Sequence, residues 1–391
     1  MKINLDEMSN AQSEPFKYAV FSGGGAKGAI YSGVHEELVN SGVLNEIEAI
    51  AGSSAGAITA AFIATGISVP NMKNTFLKTN LNNLQGNGII QKDAMPLYEL
   101  LHNTINNNIT DYFIKNNNIV EKCKERTDVI NNELNLLNEE AATKENIDKI
   151  KLLSEDRDKL EAFKNNPEKL FEIQNKAQNN GQITFGDLDM MRAIDPKIFK
   201  GLVITATNKT TGELTIFDAK KSPNVEIALA CRASASLPLK FAPVEIDGQE
   251  YVDGGVRDNI PQKHFNSKDN TAQDLTDSIQ DVTDSTQIIN EAKQNRTLVL
   301  AFGSQEANSP AHIAVYSAQE KITNFSKVQK FLLNVMLKFT AKIGGEFVLT
   351  ENKNKGFENL RENALNTIIL DTKDVTTLDF KKAEKKSRIF T

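Results

Sequence analysis

Ser54 lies in Gly52-Ser53-Ser54-Ala55-Gly56, the G-x-S-x-G spacing of a nucleophile elbow. There a sharp strand-to-helix turn exposes the serine oxygen, and small neighbours relieve the crowding. At the head of a helix, free amides and the helix dipole favour negative charge developing on that oxygen. The spacing alone is common enough to be a plain turn, so its surroundings decide. Upstream, Gly23-Gly24-Gly25-Ala26-Lys27-Gly28 follows an apolar segment and offers closely spaced amides without side-chain bulk, which a tetrahedral oxyanion requires. Gly24, Gly25 and Ala26 are the expected donors, and Gly23 and Gly28 shape the loop. Lys27 braces that loop, adds positive potential or is simply solvated.

A serine hydroxyl also needs a base. Histidine is the usual one, but the chain has four, His35, His102, His264 and His312, none with an evident route to Ser54. A nucleophile at position 54 also comes too early for an ordinary α/β-hydrolase, which places several strands before its elbow. A carboxylate remains. Asp253, in Asp253-Gly254-Gly255, is expected at a strand end, where the two glycines admit another backbone closely. Two rivals fit part of the pattern. Gly23, Gly25 and Gly28 satisfy G-x-G-x-x-G, with Glu48 placed as a ribose-binding acid would be, but dinucleotide binding leaves the elbow and the Asp-Gly-Gly unexplained. A Walker A loop is excluded because no Lys-Ser or Lys-Thr follows at the required spacing. A non-catalytic interaction protein is the other alternative, although intact candidate dyad residues speak against it.

The three motifs, in this order, resemble the patatin-like phospholipases, whose G-G-G-x-[K/R]-G loop, G-x-S-x-G elbow and D-G-[G/A] motif they match. Ala233-Ser234-Ala235-Ser236-Leu237-Pro238 with Phe241 and Pro243, and Asn259-Ile260-Pro261, are similar to the family's connecting pattern. The resemblance covers about residues 17 to 264 and implies a three-layer α/β/α fold. It also implies a Ser54-Asp253 dyad that cleaves lipid esters through an acyl-enzyme, with no metal and no cofactor. The long polar insertion and Lys-rich tail look most like the soluble patatin-like effectors that bacteria inject into host cells. That likeness implies a phospholipid membrane surface and a host protein activator as partners, and action in the cytoplasm or after secretion.

The elements that must position these residues follow from the pattern. KYAVFS reads as a buried strand ending in the glycine loop, with a helix to about Asn40, a second strand at Ile47 to Ala51, and an Ala-rich helix ending near Gly66 and Pro70. From about 112 to 180 the composition turns to Asn, Glu, Lys and Leu at helical spacing, read as a helical insertion without a strict heptad. GLVITATNKTTGELTIF gives two strands around a turn, VEIALACRASAS a helix, and VEIDGQEYVDGG a hairpin about Asp247-Gly248 that delivers Asp253. Residues 266–295 are a polar excursion, either loop or lid. TLVLAFG (297–303) is a strand that closes a catalytic domain over 17–303. A C-terminal helical part (304–391) carries the stripe Val328, Phe331, Leu332, Val335, Met336, Phe339 and Ile343, suited to core packing or to a membrane surface, and one more strand in NTIILD.

The bulk numbers bound rather than decide. A chain of 391 residues, 40% hydrophobic and 25% charged, is ordinary for a folded domain. Its net charge of -6 opposes a general nucleic-acid binder. Cys123 and Cys231 lie too far apart in sequence for a CxxC site and provide no disulfide framework. With no run of ~20 apolar residues and no apolar core in its first stretch, the chain reads as soluble or peripheral to a membrane.

Overall fold

The computed structural model describes residues 15–79, 83–88, 91–140, 143–238, 240–265, 296–303 and 366–372. Its strands are β1 (Tyr18–Phe21), β2 (Ala49–Ser53), β3 (Gly201–Asn208), β4 (Leu214–Phe217), β5 (Val244–Ile246), β6 (Gln249–Asp253), β7 (Thr297–Gly303) and β8 (Thr367–Asp371). All eight join one sheet. β3, β2, β1, β7 and β8 lie side by side in parallel, while β4 and β6 run antiparallel to β3. Because successive residues point to opposite faces, Ala19, Phe21, Ile50, Leu202, Ile204, Leu298 and Leu300 enter the main core. Val20, Ala51, Val299 and Ala301 form a smaller cluster on the other face, against Ile260. This is a mixed α/β fold built on a central sheet, as the motifs led one to expect.

The helices are α1 (Tyr31–Asn40), α2 (Val43–Glu46), α3 (Ala55–Ala64), α4 (Val69–Lys78), α5 (Met95–Lys115), α6 (Ile119–Glu139), α7 (Lys144–Asn165), α8 (Glu168–Gln178), α9 (Phe185–Ile194) and α10 (Ile227–Ser234). α3 is almost wholly buried, consistent with its run of alanines and Ile58, Phe62 and Ile63. α6 and α7 form an antiparallel hairpin closed by Ile130, Leu134, Leu137, Leu153 and Leu160, with a Lys149–Glu133 ion pair at 2.7 Å. The Arg192 guanidinium of α9 grips Asp156 of α7 through two hydrogen bonds of 2.9 and 2.6 Å, tying the hairpin to the core.

Several boundaries differ from the sequence expectation. The helical insertion starts at Met95 rather than near 112, because Leu97, Leu101, Ile105 and Ile109 bury one stripe of a single long helix. His102 therefore lies inside the first insertion helix. The second strand spans 49–53 rather than 47–51, ending directly at the elbow, and the glycine loop winds into a 3-10 turn over Gly25–Ile30. Asp247 and Gly248 have φ of 50° and 73°, the left-handed pair that a tight hairpin turn demands. β8, from the 304–391 part, pairs with β7 and so widens the sheet. The 266–295 excursion, the 328–343 stripe, His312 and the Lys-rich tail lie outside the described residues. Among those described, no helix is long and apolar enough to cross a membrane.

Candidate active site

Two strands meet head to head along one edge of β3. Ile204 pairs with Gly52 of β2 and with Phe217 of β4, so β2 and β4 flank β3 on opposite sides. Ala206 pairs with Thr215 of β4 and with Asp253 of β6, which puts β6 on the β2 side. Running in opposite directions, β2 stops at Ser53 opposite Thr205 and β6 stops at Asp253 opposite Ala206. Residues remote in sequence thereby become neighbours. Ser54 Oγ donates a hydrogen bond to Asp253 Oδ2 at 2.7 Å, and both residues are buried.

The turn between β2 and α3 is strained and tightly packed. Ser54 has φ 54° and ψ −122°, a conformation costing a side chain about 1–3 kcal/mol unless its surroundings impose it. They do so sterically. A Cβ on Gly52 would run into the backbone of Gly56, and one on Gly56 into the backbone of Phe21 and Ser22, so strand and helix approach only as glycines. Gly254 is equally confined against the Thr205 backbone, while a Cβ on Gly23 or Gly255 would meet the Asn259 side chain and one on Gly28 the Ala55 methyl. Ser53 is buried with its hydroxyl unpartnered among the described residues, whereas Ser54 is the serine that reaches the carboxylate.

Asp253 is completely enclosed, and loss of solvation pushes its carboxyl up to about 7. Hydrogen bonds from Ser54 and from the Gly255 amide, the latter 2.8 Å from Oδ1, act in the opposite sense. A carboxylate poised near neutrality, bonded to a serine at the head of a helix, is equipped to take that serine's proton. The glycine loop stands beside it. Gly23 donates to the Asn259 carbonyl at 3.1 Å and the Asn259 amide returns a bond to the Gly23 carbonyl at 3.2 Å. Lys27, in the 3-10 turn, donates its backbone N–H to Gly24 O. No acceptor among the described residues takes the amides of Gly24, Gly25 or Ala26, and Gly25, Ala26 and Gly28 border the same cavity as Ser54.

That cavity was not evident from the sequence. Ile58 and Phe62 of α3, Phe76 of α4, Leu97 and Leu100 of α5, and Leu237 and Phe241 wall a narrow apolar channel of about 90 Å³, with Ser54 on its lining. Sequence reasoning also overlooked Ser234, whose Oγ accepts the Ser54 N–H at 2.8 Å. None of the described histidines bonds to Ser54. His35 is buried, which drives its imidazole down to about 4; His102 pairs with Glu226 at 2.7 Å; His264 lies 3.7 Å from Asp258. Glu48 stands at the start of β2, the opposite end of the sheet from the glycine loop, and pairs with Lys17 at 2.7 Å, so it cannot serve a dinucleotide there.

A family model described as patatin-like phospholipase matches residues 19–265. The chain belongs to this family. The patatin-like region thus takes in the glycine loop, the elbow and Asp253. A probable lipid hydrolase, 463L, of Invertebrate iridescent virus 6 is 33% identical over 82 residues, covering 20% of this chain and 28% of the viral protein. The chain therefore matches well under two thirds of that curated relative. Among solved structures, VipD from Legionella pneumophila is similar with a TM-score of 0.50 and 20% identity, over 97% of this chain and 67% of VipD, a likeness of fold. Full-length ExoU of Pseudomonas aeruginosa, solved with SpcU, is similar with a TM-score of 0.40 and 21% identity, over 85% and 52%.

Proposed function

We propose that the protein is a lipid acyl hydrolase of the phospholipase A type, using Ser54 as nucleophile and Asp253 as base. The observation that carries this reading is the 2.7 Å bond from Ser54 Oγ to Asp253 at the wall of an apolar channel. An acyl chain enters the channel and presents its ester carbonyl to Ser54. Asp253 takes the hydroxyl proton as Oγ attacks, and the amides of Gly24, Gly25 and Ala26 receive the oxyanion. Asp253 then returns the proton to the departing alcohol or lysolipid. Water, deprotonated by the same carboxylate, releases the fatty acid and restores Ser54. No metal or cofactor takes part in this scheme.

The sequence likeness to injected patatin-like effectors extends the proposal: the protein acts at a host membrane surface and needs a host protein for full activity. Incubation with mixed phospholipid vesicles, with and without eukaryotic cell extract, followed by fatty acid analysis, tests both parts. Fatty acid release that vanishes in Ser54→Ala is the expected result. Release that persists in a folded Ser54→Ala protein removes the proposed nucleophile.

A further inference from the structure

The strained elbow is held from one side by the end of α10, which the scheme above does not use. Ser234 Oγ, fully buried, accepts the Ser54 N–H at 2.8 Å, and two residues on the Ser236 carbonyl accepts the Asp253 N–H at 2.9 Å. One short segment thus grips the backbone of both halves of the Ser54–Asp253 pair. The segment is itself fixed. Ser236 Oγ bonds to the Arg232 carbonyl at 2.7 Å and receives the Arg232 guanidinium, which also reaches the Asp93 carbonyl at 2.6 Å just before the channel helix α5. Thr207 Oγ1 holds the Asp253 carbonyl from the β3 side at 3.0 Å.

From this geometry we infer that Ser234 is a positioning residue: by accepting the Ser54 N–H it locks the peptide plane of the elbow and aims Oγ at Asp253. Ser236 fixes the base in the same way through its carbonyl. The inference rests on the proposed roles of Ser54 and Asp253. The same bond removes the Ser54 amide from the donors open to an oxyanion. Without the Ser234 hydroxyl, a buried N–H loses its acceptor and the left-handed turn its restraint, and the peptide rotates away. The hydroxyl then samples positions displaced from the carboxylate, which costs the chemical step rather than substrate binding.

The test compares Ser234→Ala, Ser234→Thr and Ser234→Cys in the full chain with a short p-nitrophenyl ester and with fluorophosphonate labelling of Ser54. Ser234→Ala should lower kcat by about tenfold or more, as the loss of one restraint on the reacting geometry implies, and leave KM within about twofold. Labelling should slow in step, and the midpoint of the pH profile should move upward, because Asp253 loses part of the Ser54 hydrogen bond that holds its carboxyl down. Thr, which retains the acceptor oxygen, should recover most of the rate, and Cys, isosteric but a weaker acceptor, should fall between. If Ala does not fold, Cys decides by itself, and a wild-type rate in folded Cys overturns the inference. So does a folded Ala variant with unchanged kcat, or with its loss confined to KM. Hydrogen exchange of the Ser54 amide reads the restraint without catalysis and should quicken at least about tenfold in Ser234→Ala. Unaltered exchange refutes the positioning role; altered exchange in a protein whose Ser54 never labels refutes the proposed function instead.

Discussion

Asp253→Asn should abolish activity and at the same time stabilise the protein at neutral to alkaline pH. Raising the carboxyl from 3.8 to about 7 amounts to about 4 kcal/mol of preference for its neutral form, at 1.36 kcal/mol per pH unit. The folded state binds this proton more tightly than the unfolded chain does. The associated stability is therefore fully present below pH 3.8 and drains away as pH rises through about 7. By pH 8 the wild type carries nearly all of that cost as a buried carboxylate. Asparagine carries none of it, while its carbonyl can still accept the Gly255 N–H and its amide can face Ser54 Oγ, which is then without a base. From pH 5.5 to pH 8 the advantage of the variant should grow by about 2 kcal/mol, or about 2 °C in Tm for a chain of this length. Differential scanning calorimetry of both proteins at the two pH values measures the gap. A Tm gap that does not widen with pH, or an Asn variant less stable than wild type by the same margin at both, refutes the argument that burial strains the carboxylate.

The same carboxyl sets the rate profile: kcat/KM should climb with pH, reach half its plateau near 7, and fall about tenfold per unit well below that, measured on a soluble ester. Replacing His35, His102, His264 and His312 by Gln, singly and together, should change turnover only modestly in variants that still melt cooperatively, whereas a histidine base would cost several orders of magnitude. Leu100→Trp, which fills the channel, should reduce hydrolysis of long-chain phospholipid by about tenfold while sparing a butyrate ester, and equal loss on both would mean that acyl chains do not occupy the channel.

The site was legible where chemistry dictates a local motif. The elbow needs Gly52 and Gly56 because strand and helix backbones touch there, and the hairpin at Asp247-Gly248 announced that β6 would end at Asp253. What stayed hidden depends on residues whose types have ordinary uses. Ile58, Phe62, Leu97 and Leu100 are of types that any core uses, and only the fold shows that they line the channel. Ser234 and Ser236 looked like part of a connecting pattern, since the Ser234 contact to Ser54 crosses from one end of the domain's sequence to the other and Ser236 reaches Asp253 through a backbone carbonyl that any residue type carries. The start of the insertion was concealed for a related reason. Asn106 and Asn108 lend α5 a polar composition, yet both are buried, Asn108 donating to Thr65 Oγ1 at 3.0 Å.

The arrangement explains why the site requires the whole domain rather than its three motifs. Ser54 holds a backbone conformation it would not choose, and Asp253 holds a charge in a place that opposes charge. Within the three motifs Asp253 has the Gly255 N–H and the Ser54 hydroxyl to support its charge, and these do not offset its burial. Gly52 and Gly56 permit the close approach; the sheet supplies the meeting of β2 and β6 at Thr205 and Ala206, and Ser234 at the end of α10 with Ser236 just beyond it supplies the acceptors for both backbone amides. Substitutions along α10, far in sequence from the elbow, should therefore affect catalysis more than their distance from the motifs suggests. Exposed positions on the α6–α7 hairpin, such as Val129 and Leu136, carry no such connection to the dyad.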